Sequence, residues 1–394
     1  MMKILALGGA GHIGSGGVRE LVKKAPDMEV IVADYHLDKA QMLAAEVGGK
    51  TTAIQVDAND MGNMVKAMQQ ADVVLNTVGP YYVYGERIVK AAIEAKKHLV
   101  DVCDDGDATE KILALDGEAR KAGICVIVGL GATPGITNLM ARSGADKLDR
   151  VDAIDTAWAW TAIDPKMTGS GIVEHYFHAI DGDIITYRDG QWVPIPAMSV
   201  TKAFNFIDPI GTFEVSQVGH PEPITLPRYI KGVRDVTNYG GIWPTKFSEM
   251  AKVFKEIGLS KTTEIDVRGR SIPARAVGTD IILGLPMLSE DFVQSLIDTV
   301  VTEYGEFGIE GVVLRVDVHG EKNGSPVHFS YNCGSNADLL TSLPSVLGAL
   351  MLARGEIKTS GVFAPEGVID PKVFFRELIK DIPVREIIDA PIGV

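Results

Sequence analysis

Cysteine is scarce in this chain, with three in 394 residues, at positions 103, 125 and 333. So few, so widely spaced, exclude a disulfide framework or a Cys-rich zinc site, and no metal is expected. Positive charge is also short: 38 Lys and Arg stand against 52 Asp and Glu, a formal net charge of -14. No basic block appears among them, which argues against a nucleic-acid partner. Long hydrophobic runs are missing too. Nowhere do 18 uncharged apolar residues follow one another, and the most apolar late stretch, 339–353, contains Pro344. Met1-Met2-Lys3 leads into only four apolar residues before glycine, too short for a signal peptide. A cytoplasmic protein with no membrane partner is the expectation. What remains, 46% hydrophobic and 23% charged residues with 42 Gly and 19 Pro, belongs to a globular chain. Its length suggests two or three domains, large enough to bury a core without metal or disulfide.

The first 130 or so residues repeat one unit. Short apolar runs at 3–7, 29–33, 53–56, 72–76, 98–102 and 124–128 alternate with helix-length segments at 17–24, 37–47, 61–70, 86–95 and 108–122. Continuous apolar strands separated by amphipathic helices predict a parallel sheet covered on both faces. With right-handed crossovers this is a Rossmann-type doubly wound α/β domain, binding its ligand at the carboxyl ends of the strands. After Gly135 the pattern changes. The segment 151–163, VDAIDTAWAWTAI, partly alternates, and Asp189-Gly190 and Lys322-Asn323-Gly324 are hairpin turns. Helices are expected at 172–179, 246–257, 291–304, 337–353 and 372–379. A second α+β domain on a mixed, largely antiparallel sheet follows from this, with divisions at 1–135, 136–345 and a tail, 346–394, that returns to the first domain.

Gly9, Gly11 and Gly14 match G-x-G-x-x-G, immediately after a strand and opening a helix. Gly9 suits a tight turn, Gly11 the close approach of a pyrophosphate, and Gly14 close packing of the helix on the sheet. The amides around His12 and Ile13 at the helix start then face phosphate. Asp34 ends the second strand twenty residues after Gly14. A carboxylate there accepts hydrogens from both ribose hydroxyls and repels a 2′-phosphate, so NAD is expected and NADP less so. Asp57, past the third strand, contacts the adenine or caps the next helix. Asn76, Gly79 and Pro80, after the fourth strand, run beside the pyrophosphate and the nicotinamide ribose.

The reacting centre has several candidates. Tyr81, Tyr82 and Tyr84 place three of the ten tyrosines in what reads as one loop, with at least one lining the cleft. Asp101, Asp104, Asp105 and Asp107 crowd the end of the fifth strand around Cys103. Such a cluster repels itself unless it is solvated, shares protons or meets a cation, and a cationic amine substrate would be such a partner. Asp101 or Asp104 is expected to face the cleft, and Asp107 to cap a helix beginning near Ala108. Thr133 and Pro134 suit the start of another helix beside Asn138. In the second domain Glu174, His175 and His178 share a helix. His175 is a candidate proton carrier, and Lys246 and Arg275 are candidates for a substrate carboxylate.

GGAGHIG, VADYHLDKA, VVLNTVGPY, AAIEAKKHLVDVCDD and GLGATPGITNLMA, in that order, resemble the saccharopine dehydrogenase-like family over residues 1–141. That group includes lysine 6-dehydrogenase, saccharopine reductase and carboxynorspermidine dehydrogenase. Further on, NYGGIWPTKFSEMAKVFKEIGL is similar to a family stretch rich in Arg-Tyr-Pro-Gly-His, with Trp243-Pro244 in its place, and GVFAPEGVIDPKVFFREL to the family tail. The resemblance implies a homodimeric enzyme that oxidises a carbon–nitrogen bond of an amino acid or reduces the corresponding imine. It would place the strand-end tyrosine and aspartate at Tyr81 and Asp101, with 131–138 beside the substrate. The reading is an NAD-dependent amino-acid dehydrogenase of the lysine 6-dehydrogenase kind acting on a small cationic amino-acid or imine substrate. The alternatives are an imine reductase of the saccharopine or carboxynorspermidine type, a C–O dehydrogenase, and a non-catalytic NAD sensor.

Overall fold

The computed structural model describes residues 2–161, 170–208, 210–304 and 311–389. Within them the chain divides into two compact units, 1–143 with 338–381 and 144–337 with 382–394.

In the first unit strands and helices alternate as the apolar pattern requires: β1 (Lys3–Leu7), α1 (His12–Lys24), β2 (Glu29–Asp34), α2 (Leu37–Val47), β3 (Thr51–Gln55), α3 (Met61–Met68), β4 (Val73–Asn76), α4 (Tyr81–Ala95) and β5 (His98–Asp101). Next come α5 (Gly106–Leu113), α6 (Asp116–Ala122), β6 (Cys125–Val128) and α7 (Ile136–Ala145), so the single helix expected over 108–122 is broken in two. β1 pairs in parallel with β2 and with β4, and its residues 4–7 are all at most 2% exposed. Burial on both faces of the sheet is why these strands read as unbroken apolar runs rather than alternating ones.

The second unit holds β7 (Arg150–Trp160), α8 (Ser170–Ala179), β8 (Asp183–Arg188), β9 (Gln191–Pro196), β10 (Thr201–Asn205), β11 (Thr212–Gln217), α9 (Glu222–Tyr229), β12 (Asp235–Ile242) and α10 (Thr245–Glu256). It continues through β13 (Glu264–Val267), β14 (Arg270–Pro273), α11 (Ala274–Leu288), α12 (Glu290–Tyr304), β15 (Gly311–Lys322) and β16 (Ser325–Asn336). Residues 162 and 163, the end of the partly alternating run, lie outside the described residues. Both expected hairpins form, because Asp189-Gly190 and Asn323-Gly324 supply consecutive positive φ values of 49° and 79°, and 53° and 78°. The sheet is mixed: β12 runs parallel to β7, while β7 with β15 and β15 with β16 are antiparallel.

The remainder, α13 (Ala337–Ala353), β17 (Gly361–Phe363), α14 (Pro371–Leu378) and β18 (Val384–Asp389), is shared between the units. β17 extends the first sheet by pairing in parallel with β6, giving the order β17-β6-β5-β4-β1-β2-β3. The tail does not return to the first unit as a whole, however. β18 pairs antiparallel with β16 of the second sheet, and residues 390–394 lie outside the described ones. Among the described residues no helix is long and apolar enough to cross a membrane.

Candidate active site

The turn after β1 is built by close contacts that only glycine allows. Gly8 takes the left-handed conformation, φ +74°, so the positive φ falls one residue before the position expected for the tight turn. A Cβ on Gly14 would lie 2.1 Å from the Gly8 carbonyl oxygen, so Gly14 packs on the turn itself. Gly11 leads into α1 without a side-chain cap, and the helical ladder begins with Ser15 N–H on the Gly11 carbonyl. The amides of residues 12–14 therefore precede the ladder, at the positive end of the helix. A Cβ at Gly11 would meet only the Gly8 oxygen, at 3.2 Å, which leaves an open approach for a diphosphate. The His12 side chain turns elsewhere, its Nε2 lying 2.7 Å from the Asp338 carboxylate of α13. Asp34 accepts from Ala10 N–H in this turn and from His36 N–H, both at 3.0 Å. Its carboxylate is thus fixed at the turn, with lone pairs left for ribose hydroxyls. These features fit a dinucleotide.

Asp57 does not cap the next helix. It accepts from Asn59 N–H at 2.8 Å, a local turn, while Asp60 caps α3 through Asn63 N–H at 3.0 Å. The tyrosines are not in a loop either. Pro80 is the N-cap of α4, and Tyr81, Tyr82 and Tyr84 form its first turn. Asp105 occupies the N-cap position of α5 yet sends its carboxylate to Tyr82 N–H, 2.9 Å away, capping α4 instead. Asp107 falls inside the first turn of α5 and faces Lys111 at 3.4 Å.

Asn76 and Asp101 end adjacent strands and are both fully buried. Asn76 Nδ2 donates to Asp101 Oδ2 at 2.9 Å, and Cys103 N–H donates to Oδ1 at 2.7 Å. Asn76 Oδ1 accepts from Val78 N–H at 3.1 Å, holding the loop toward Gly79 and Pro80. Burial raises the Asp101 carboxyl to about 7; the two hydrogen bonds lower it, and Asp104 and Asp105 raise it further. Asp101 does not project into a cleft as a bare anion; it is a buried group that exchanges its proton near neutrality. Burial, then the charge of Asp101, pushes the Tyr81 phenol well above its usual value, so it stays protonated. Burial likewise raises the Cys103 thiol, which makes it a poor nucleophile.

This titration has a measurable sign. Asp101 holds its proton in the folded chain up to about pH 7 but releases it near 3.8 when unfolded. The folded state binds more protons in that window, so this residue's contribution to stability falls as pH rises. Relative to wild type, an Asp101→Asn variant should gain stability from about pH 4 to about pH 7, by at most about 1.4 kcal/mol per unit, and nothing further above. Urea unfolding of both proteins across that range measures the difference; a constant gap would mean that Asp101 is ionised throughout.

Asn138 is buried and tied to its neighbours: its Oδ1 accepts from Gly135 N–H at 3.1 Å, and its Nδ2 donates to the Glu366 carboxylate at 3.0 Å. Thr133 and Pro134 sit ahead of α7, which begins at Ile136, rather than in its first turn. In the second unit Arg275 is buried, donating from Nε to the Ser260 carbonyl at 2.7 Å and lying 3.2 Å from His178 Nδ1. That is a structural role, whereas Lys246 is exposed. His175 lies on α8 with its ring 5.6 Å from that of His220. His220 was not legible as a candidate. It is buried against Glu222, Nδ1 to Oε2 2.9 Å, and the only sequence signal was the short spacing in G-H-P-E.

Residues 4–127 match the saccharopine dehydrogenase NADP binding domain, and residues 131–382 the saccharopine dehydrogenase C-terminal domain. The chain is 23% identical to a carboxyaminopropylagmatine dehydrogenase of Synechocystis, over 99% of each. It is also 23% identical to a saccharopine dehydrogenase [NADP(+), L-glutamate-forming] of Pyricularia oryzae, over 71% of this chain and 63% of that one. The fold matches an apo saccharopine dehydrogenase (L-Glu forming) from Saccharomyces cerevisiae with a TM-score of 0.68, 19% identity and coverage of 99% of this chain and 100% of that one. The nucleotide-domain description and the Pyricularia relative name NADP, where the sequence leads one to expect NAD. Matched along nearly its whole length by both domains, the chain belongs to the saccharopine dehydrogenase family.

Proposed function

We propose that this chain is an NAD-linked oxidoreductase acting at the carbon–nitrogen bond of an amino-acid-derived amine. The observation that carries the reading is the buried Asp101 carboxyl, hydrogen-bonded to Asn76 and set beside the Tyr81 phenol. These residues lie at the carboxyl ends of β4 and β5, and β4 neighbours β1, whose end carries the dinucleotide turn. Nicotinamide, when bound, supplies or accepts the hydride. The amides opening α1 would hold its pyrophosphate and Asp34 its adenosine ribose.

An amine must be neutral before its carbon can give up a hydride. A carboxyl that titrates at about 7 takes that proton at neutral pH without the mismatch of an ordinary aspartate. Tyr81, held in its protonated form, donates a hydrogen bond. Asn76 keeps the Asp101 carboxyl in one orientation. The first reading of the substrate is a primary amine oxidised to its imine and hydrolysed, as in lysine 6-dehydrogenase. Likeness over 99% of each chain to a carboxyaminopropylagmatine dehydrogenase favours a second, in which the reduced product is a secondary amine. A panel of amino acids, opines and polyamines, followed by nicotinamide absorbance in both directions, distinguishes them. Turnover of hydroxy acids alone, or of nothing, would replace the proposal with a C–O dehydrogenase or a cofactor sensor.

For the cofactor, Asp34 should bind NAD at least about tenfold more tightly than NADP, since a 2′-phosphate beside a carboxylate loses about 1.4 kcal/mol or more. Asp34→Asn keeps an acceptor for Ala10 N–H while removing the charge, and should abolish the preference. Titration of both cofactors into both proteins tests this. A wild type that prefers NADP would assign the ribose pocket as its domain's description has it.

A further inference from the structure

We infer that the His12 side chain, held by Asp338, is the cationic element of the dinucleotide site, so that diphosphate binding is linked to protonation of this imidazole. The inference rests on the reading of the glycine turn as a dinucleotide site and assigns a side chain to it. Between Gly8 and Gly14 there is no lysine or arginine, and His12 is the one residue of that segment whose side chain can carry positive charge. The cations further along α1 are engaged elsewhere. Arg19 donates to both carboxylate oxygens of Glu46, at 2.8 and 3.1 Å, and to Ser15 Oγ at 3.2 Å. Lys23 and Lys24 both meet Asp381, at 3.3 and 2.7 Å, toward the other end of the helix.

His12 is the first residue of α1, and its Nε2 lies 2.7 Å from Oδ1 of Asp338, in the first turn of α13. Both belong to the first unit. The two helices advance side by side in the same direction: a Cβ on Gly16 would lie 3.2 Å from Ser342 Oγ, and one on Gly17 3.9 Å from Val346 Cγ2. Two helix starts therefore stand together, with a carboxylate on α13 next to the amides that open α1. Alone, that carboxylate would oppose a diphosphate; paired with an imidazolium it is neutralised. Imidazole changes its charge between about pH 5 and about pH 8. The other ionisable groups around the pair are Asp34 and His36 at the end of β2, Arg19 on α1 and Glu46 on α2. Residues 77–80 contribute none, and Asp338 is the one acidic residue in the first turn of α13. A pair that only tied α1 to α13 would leave ligand affinity indifferent to pH.

The test uses the full-length protein and ADP-ribose, whose diphosphate does not titrate near neutrality. It carries no nicotinamide, so Asp101, which titrates at about 7 on a strand two places from β1, has no ring to respond to. Wild type should bind the probe at least about fivefold more tightly at about pH 6 than at about pH 9. Calorimetry in buffers of different ionisation enthalpy should show proton uptake between those limits. In His12→Gln the two dissociation constants should agree within about twofold and match that of wild type at about pH 9. Asp338→Asn removes the charge that favours imidazolium and should move the transition down by at least about half a pH unit. Circular dichroism checks both folds, and the wild-type profile decides the matter if either fails. A wild-type affinity that ignores pH, a His12→Gln variant that keeps the full wild-type change, or an unmoved transition in Asp338→Asn would overturn the inference alone. Absence of ADP-ribose binding, or binding that Gly14→Val leaves intact, would overturn the dinucleotide reading and this inference with it.

Discussion

A Gly14→Val variant should bind NAD and NADP at least about a hundredfold more weakly than wild type, the largest binding defect expected of any single change to the turn. Even a Cβ at this position would lie 2.1 Å from the Gly8 oxygen and 2.8 Å from Thr77 Oγ1. Neither neighbour can yield cheaply. Gly8 is held by its own N–H on the Ala33 carbonyl at 2.8 Å, and Thr77 Oγ1 donates to the Leu7 and Gly8 carbonyls, at 3.1 and 3.2 Å. Helix α1 must therefore move away from the strand end, taking the amides that face the diphosphate with it. A hundredfold loss corresponds to about 2.7 kcal/mol. Binding measured by calorimetry, with thermal melts to confirm folding, checks this. Undiminished affinity would mean that the diphosphate does not sit at this helix start.

Asp101→Asn should lower kcat/KM for an amine substrate at least about a hundredfold while leaving cofactor affinity within a few-fold. Two effects act together. The group that titrates at about 7 is gone, so nothing in its place takes the ammonium proton. In addition Asn presents one NH2 where ionised Asp101 presents only acceptors, to Asn76 Nδ2 and to Cys103 N–H. One of those contacts must become donor against donor. The loss of about 2.7 kcal/mol of transition-state stabilisation should be accompanied by disappearance of the ionisation near pH 7 from the kcat/KM profile. Rates unaffected by the variant would make Asp101 a strand-end anchor only, and the proton would have to be handled elsewhere.

The parts of this molecule that the sequence made legible are those determined locally. The glycine turn after β1 and the carboxylate ending β2 stand at fixed spacing, and the consecutive left-handed residues of both hairpins are two-residue signals. The helix over Ala337–Ala353 is legible to the residue despite Pro344, because Leu339, Leu340, Leu343, Val346, Leu347 and Leu350 recur at helical spacing. The misread positions depend on contacts distant in sequence. Asp105 looks like the cap of the helix that follows it, and only the fold brings its carboxylate to Tyr82 on α4. Asp101 reads as an exposed anion because burial is invisible in a run of acidic residues. Helices α9 and α11 carry weak local signals, α9 holding Pro223 and Pro227 and α11 holding Gly278, Gly284 and Pro286. β18 went unseen since its partner, β16, is more than fifty residues earlier.

In the proposed reaction hydride leaves, or arrives at, a carbon bonded to nitrogen. This is tested most directly with amines deuterated on that carbon. Incubation with oxidised cofactor, followed by mass analysis of the nicotinamide, should show deuterium in the reduced cofactor from at least one amino-acid-derived amine. The transfer should be at least about a hundredfold slower in Asp101→Asn. Deuterium arriving only from labelled hydroxy acids, with every amine silent, would contradict the account.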